Sequence, residues 1–333
     1  MNSQHRASLS IKTATAEGSW AQMCAVLGAV IWAGVAVLAR IGVAPIGAIE
    51  LMFLFAPLVI VPLGMELART IGVDTPLTRF ARRVQPIAAV LAVVAVWLPP
   101  GRPAGGLACG WMVVCLAMTV AALIDLSSLA RSRPDRGIRS TIHRIPLAVA
   151  QLDLAVGGAW LVASRFGSRP MGIQEPIGLL TAVHFHYAGF ATAMIAAALL
   201  QFTSQHEQHR WLSWLVGIVV TMPIIVALGF VISPQLKLGA AVLFSAAVAV
   251  LAVVLRASAK RLDSGTARVL FHVASASVFA GMVLSTAYAV ADFRGSDVLP
   301  IPQMARTHGI LNAVGFCLPG LLGWLVEFAP DSH

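Results

Sequence analysis

Long apolar runs separated by short polar stretches recur along the whole chain. They lie near residues 20–38, 47–66, 85–99, 106–126, 144–164, 177–201, 211–232, 237–256, 268–290 and 303–328. A helix needs about 20 apolar residues to cross the hydrocarbon layer, so each run predicts one transmembrane helix, numbered 1 to 10. The third is predicted to be short, because Pro86, Pro99 and Pro100 bound it. The expected fold is all-α: a polytopic helix bundle forming one domain over 20–328, preceded by a polar, mobile segment at 1–19 and followed by a short tail at 329–333. The first segment lacks a short apolar core with an A-x-A site, so no cleaved signal peptide is expected. No appended soluble domain is expected either, which places any chemistry in or at the bilayer.

Composition agrees with this reading. Of 333 residues, 58% are hydrophobic and 11% charged, which is too little polar surface for a soluble domain. The net charge of +9 comes from 23 Lys and Arg that fall between the apolar runs, a membrane-orienting pattern and not a nucleic-acid footprint. Sixteen of them lie on the side of the two termini and seven on the other, so the positive-inside rule predicts both termini in the cytoplasm. Cys24, Cys109, Cys115 and Cys317 sit within apolar stretches and read as small hydrophobes. Trp20, Trp111, Trp211 and Trp324 lie near run ends and are expected as interfacial anchors.

Candidate chemistry comes from the polar residues inside the runs. An ionisable group in hydrocarbon costs about 2.5–3.5 kcal/mol, so each needs a partner or a purpose. Helix 2 opens with Glu50, helix 5 carries Gln151 and Asp153 near its middle, helix 6 has His184, His186 and Tyr187, and helix 10 has His308 and Asn312. At 1.5 Å per residue His184 lies roughly 10 Å and His308 roughly 7 Å inside the outer face, with Glu50 about one turn in from the same side. Glu50, His184, His186, Tyr187, His308 and Asn312 therefore form the candidate catalytic set, with Asp153 deeper as a cavity floor. A carboxylate and imidazoles can act as general acid and base, while Tyr187 and Asn312 hydrogen-bond a polarised oxygen.

Bland readings stand beside these. Packed, hydrogen-bonded histidines between helices would explain His184, His186 and His308 equally well. Glu66 and Asp125 are expected as interfacial charges, Asp292 as a surface charge, His272 as a helix-to-helix hydrogen bond, and His143, His206 and His209 as solvated loop residues. Pro57 and Pro62 predict a kink in helix 2. On a regular helix His184 and Tyr187 share a face and His186 points nearly opposite, so ligand spacings of three or four are missing and no cofactor is expected. The metal alternative is a divalent ion held by Glu50, one histidine of helix 6 and His308; facing histidines would also suit haem. A weak internal echo links HFHYAGF at 184–190 with HGILNAVGF at 308–316.

Three segments carry a resemblance: ELMFLFAPLVIVPLGMEL at 50–67, LTAVHFHYAGF at 180–190 and RTHGILNAVGF at 306–316. In these the chain resembles the YndJ-like family of bacterial multi-pass membrane proteins. The resemblance implies an integral protein of a bacterial cytoplasmic membrane and brings no catalytic assignment with it. Within that frame the expected function is a membrane-embedded enzyme that isomerises, cyclises or hydrates a lipophilic small molecule by acid-base chemistry. A secondary transporter or proton-coupled carrier, or a structural membrane protein, is the alternative. The expected partners are the lipid bilayer and that small molecule, with no nucleic acid and no predicted oligomeric state.

Overall fold

The computed structural model describes residues 3–131, 142–206, 210–296 and 300–329. Every regular element among them is helical. Ten helices are long and apolar enough to cross a bilayer: span 1 Trp20–Arg40, span 2 Ala48–Thr70, span 3 Pro76–Trp97, span 4 Arg102–Arg131, span 5 Arg144–Phe166, span 6 Ile177–Ser204, span 7 Arg210–Ile232, span 8 Pro234–Arg261, span 9 Gly265–Phe293 and span 10 Ile301–Glu327. The first helix begins at Ser3, so the backbone of the amino-terminal segment runs continuously into span 1. The side chains of His206 and His209 lie outside the described residues.

Span 3 is longer than the prolines suggested. Thr75 and Thr78 cap it reciprocally, at 3.1 Å and 2.8 Å, and Pro76 occupies the first helical position, where a missing N–H costs nothing. Asp74 just ahead of it accepts from Arg79 and Arg82, both at 3.0 Å. Arginines that look like loop charges therefore belong to the first turns of the helix. Pro86 is accommodated inside it.

Consecutive spans pack as antiparallel neighbours, and a second level of order lies above this. Span 2 packs on spans 1, 3, 6 and 10, while span 6 packs on spans 2, 5, 7 and 10. Spans 3 to 5 and spans 7 to 9 form the hairpins in between. Spans 2 and 6 are the most enclosed, with 78% and 89% of their apolar windows buried. Because spans 2, 6 and 10 are separated by even numbers of crossings, they run in the same direction. Their amino-terminal ends share one end of the bundle, the distal end, away from both chain termini.

Among the described residues these three spans are also the ones with π-helical turns, at Ala56–Ile60, Phe185–Ala191, Ala305–Gly309 and Ala313–Cys317. A π turn returns each N–H to the fifth carbonyl back and widens the helix. In span 2 the N–H of Val61 reaches Ala56 in this way. The next bond of that pattern would run from residue 62 to the Pro57 carbonyl, and Pro62 has no N–H. Gln85 of span 3 replaces it: its Nε2 donates to Pro57 O at 2.6 Å, fully inside the bundle. The two prolines thus produce a widened turn with a side-chain donor where a kink was expected.

Several charges at the span ends are paired. Glu66 is buried and bonded to Arg69, Arg144 grips Asp125 between spans 4 and 5, and Lys237 meets Asp292 at 2.7 Å between spans 8 and 9. Glu327 at the end of span 10 accepts from the backbone N–H groups of Asp263 and Ser264 at 3.0 Å and 3.1 Å, fastening it to the start of span 9. Two sequence expectations need correction. Trp111 and Trp324 are not interfacial anchors; both are wholly buried, Trp324 among Phe202, Phe271 and Phe328. His143 is not solvated but buried against the connection after span 2, where it hydrogen-bonds the backbone of Ile71.

Two outcomes are expected. Gln85→Leu leaves the Pro57 carbonyl unpaired in hydrocarbon and should cost about 1–3 kcal/mol, read as a lower melting temperature in detergent. Burial lowers the pKa of His143 from its ordinary 6.5, outweighing the Ile71 bond. Its neutral form is the one that folds, so its contribution is complete above the unfolded value and falls away as pH drops toward the folded one. Melting temperature should decline between about pH 7.5 and pH 5.5, with a shallower slope in His143→Gln.

Candidate functional site

The distal halves of spans 2, 6 and 10 converge, and they carry all six residues of the candidate set. Their side chains divide into those committed to structural bonds and those with free capacity. Glu50 caps its own helix: its Oε2 accepts from the Gly47 N–H at 3.1 Å, in the first turn of span 2. Tyr187 is buried and donates its hydroxyl to the Met52 carbonyl at 2.7 Å, tying span 6 to span 2. Among the described residues neither hydrogen-bonds a histidine side chain.

His186 is the most constrained group. It has no solvent exposure, and Trp111 of span 4 donates its indole N–H to Nε2 at 3.0 Å. An indole nitrogen only donates, so Nε2 accepts and the ring proton resides on Nδ1. Nδ1 in turn donates to the Ala182 carbonyl at 2.7 Å. Both ring nitrogens are used and the imidazole is neutral. Trp111 stacks on the ring at 5.9 Å, Phe53 meets it edge-on at 5.2 Å, and a Cβ on Gly157 would come within 2.6 Å of Nδ1. That enclosure makes His186 a four-span joint among spans 2, 4, 5 and 6, without a lone pair for a proton or a metal.

His184 and His308 differ. His184 Nδ1 donates to the Leu180 carbonyl at 2.7 Å, and His308 Nδ1 to the Gly281 carbonyl of span 9 at 2.9 Å. A carbonyl only accepts, so the proton is on Nδ1 and, in the neutral ring, Nε2 carries the lone pair. Among the described residues neither Nε2 has a hydrogen-bond partner. The two rings are near enough to interact electrostatically. His184 is exposed on the flank of the bundle and His308 is half-buried. Asn312 braces His308: its Nδ2 donates to the His308 carbonyl at 2.7 Å and approaches Nδ1 at 3.2 Å. A Cβ on Gly281 would come within 2.7 Å of that same Nδ2, so the close seat of span 10 on span 9 depends on a glycine there.

Asp153 lies against span 6 at Gly189, where a Cβ would come within 2.8 Å of its Oδ2. It is 5% exposed, and Oδ2 has no hydrogen-bond partner. The Gln151 Oε1 on the same span is likewise unpartnered. Among the described residues no group of three or more His, Cys, Asp or Glu gathers as metal ligands.

Sequence reading missed Trp111, which lies nine residues into span 4, roughly 13 Å deep. Its signal was the long apolar run on both sides of it. Also missed were Arg40 and Arg306, which line a cleft of about 660 Å³ with Trp32, Leu51, Met52 and Ile310. Arg306 lies more than one turn inside span 10, an ionisable intruder counted as a loop charge.

Comparison with known proteins shows the family of the chain. The YndJ-like protein family matches residues 51–316, from the first turn of span 2 to the second π segment of span 10. The chain belongs to the YndJ-like family. A relative from Bacillus subtilis (strain 168), described as "Uncharacterized membrane protein YndJ", is 30% identical over 248 residues, which is 73% of this chain and 42% of the relative. The chain thus spans about two fifths of that relative's length. No solved structure matches. The three sharp segments of this YndJ-like chain, in spans 2, 6 and 10, are those that hold its π turns.

Trp111→Phe removes the donor to His186 while keeping an aromatic ring. The expected cost is about 1–2 kcal/mol, measured by thermal unfolding in detergent. A stability equal to that of the parent chain would show that Nε2 of His186 does not depend on the indole.

Proposed function

We propose that this YndJ-like chain is a membrane-embedded protein acting on a lipophilic small molecule, with His184 and His308 as its proton-accepting pair. The observation that carries the reading is the matched state of these two rings. Each is oriented by an Nδ1–H bond to a backbone carbonyl and leaves Nε2 open. Anchoring of that kind fixes the tautomer and direction of an imidazole that works through its other nitrogen. A neutral Nε2 can take a proton from an acidic C–H or O–H, and the imidazolium so formed can return that same proton to a neighbouring carbon, which is the balance an isomerisation requires. Exposure of His184 on the flank of the bundle favours access from the lipid. In this reading Asn312 positions His308, while Glu50, His186 and Tyr187 hold the surrounding helices.

One observation favours a proton-coupled carrier instead. Asp153 is a buried carboxyl with an unpartnered oxygen, placed deeper than His184 along span 6, where it could extend a proton route inward. The even spacing of spans 2, 6 and 10 weighs against it, since inverted repeats relate segments of opposite direction.

The two readings separate experimentally. Lipid extracts of a bacterial host expressing the chain should contain a lipophilic species with altered chromatographic mobility. That species should fall at least about tenfold in His184→Ala and His308→Ala when equal amounts of folded protein are compared, and persist in Asp153→Asn. Extracts identical with and without the chain would remove the enzyme reading. Proton uptake by proteoliposomes that disappears in Asp153→Asn would establish the carrier.

A further inference from the structure

The cleft between spans 1, 2 and 10 is distinct from the histidine pair. Arg306 and Ile310 face into it from span 10, while His308 between them turns away to Gly281 of span 9. Span 2 forms its floor with Leu51 and Met52, and span 1 supplies Trp32 and, at its end, Arg40. Trp32 is held in place by its indole N–H, which donates to the Leu51 carbonyl at 2.8 Å. The walls are otherwise apolar, and at about 660 Å³ the space falls within the size of small-molecule sites.

Its charge is one-sided. Arg40 and Arg306 are both exposed, and among the described residues neither has a carboxylate partner. No acidic residue lines the cleft; the nearby Glu50 is turned onto the Gly47 N–H. Lys237 at this end of the bundle contrasts with this, since it has found Asp292. Two guanidinium groups without a counter-charge, above an apolar trough that opens where the bilayer surface lies, match an anion joined to a hydrocarbon chain. Guanidinium forks bind phosphate oxygens in pairs, and the chain would replace bilayer contacts with Trp32, Met52 and Ile310.

We infer that this cleft binds an anionic phospholipid of the adjoining leaflet, its phosphate held between Arg40 and Arg306 and one acyl chain lying along Trp32, Leu51, Met52 and Ile310.

The test is native mass spectrometry of the full chain, purified in non-ionic detergent, with palmitoyl-oleoyl phosphatidylglycerol or phosphatidylcholine added. Retention of phosphatidylglycerol should exceed that of phosphatidylcholine by about tenfold, and should fall about fivefold or more in Arg40→Gln and in Arg306→Gln. Arg169→Gln, at the same end but outside the cleft, should leave it unchanged. Equal retention of the two lipids, or an equal loss in Arg169→Gln, would overturn the proposal. Displacement of the lipid by glycerol 3-phosphate alone would overturn its acyl-chain part. If both cleft variants misfold, phosphatidylglycerol brominated along its chain decides the matter on the parent protein. Quenching of tryptophan fluorescence that unbrominated phosphatidylglycerol reverses, and phosphatidylcholine does not, supports the site; absence of quenching refutes it.

Discussion

In a bilayer no water is available to complete a backbone hydrogen bond, so every carbonyl released by an irregular turn must find a donor within the protein. The centre of this molecule is organised by that requirement. Pro62 leaves the Pro57 carbonyl bare and Gln85 covers it. Tyr187 covers Met52, His186 covers Ala182, His308 reaches Gly281, and Asn312 returns to the His308 carbonyl. Most of the polar side chains in spans 2, 6 and 10 are therefore bound to backbone oxygen, and the widened turns and the polar residues explain each other. Functional capacity is what remains after this accounting. In the candidate set it amounts to two imidazole nitrogens, with the carboxyl oxygen of Asp153 deeper in.

The fold was largely legible because hydrophobic run length measures a fixed physical thickness. Ten runs became ten spans, and the common depth of the polar residues in spans 2, 6 and 10 could be counted from the sequence, whereas their packing on one another could not. Span 3 was read too short because Pro86 looked like a boundary, whereas the helix starts at Pro76 and accommodates Pro86 in its interior. Trp111 was misplaced for a related reason: a tryptophan near the apparent end of a run looks interfacial until the helix proves to begin further upstream.

The candidate site was legible in membership and not in role. Depth along a helix can be counted from the sequence, but the direction of a side chain depends on helix phase. The π turn after His184 shifts that phase for every residue beyond it. Nothing in the spacing of His184 and His186 shows that one ring would be sealed by a tryptophan of span 4 while the other faced outward. The echo between HFHYAGF and HGILNAVGF acquires a physical meaning in this light, since both strings accompany π segments in parallel spans.

That parallel alignment has an electrostatic consequence. Peptide dipoles sum along each helix, so spans 2, 6 and 10 together direct three partial positive charges at the same end of the bundle. Two are answered locally: Glu50 accepts from Gly47 at the start of span 2, and Glu175 accepts from the Leu179 N–H at the start of span 6. The first turn of span 10 contains no acidic residue, and Arg306 follows directly after it. Of these three helix starts only that of span 10 lacks a carboxylate, so its first N–H groups and Arg306 together favour an anion on that side of the bundle.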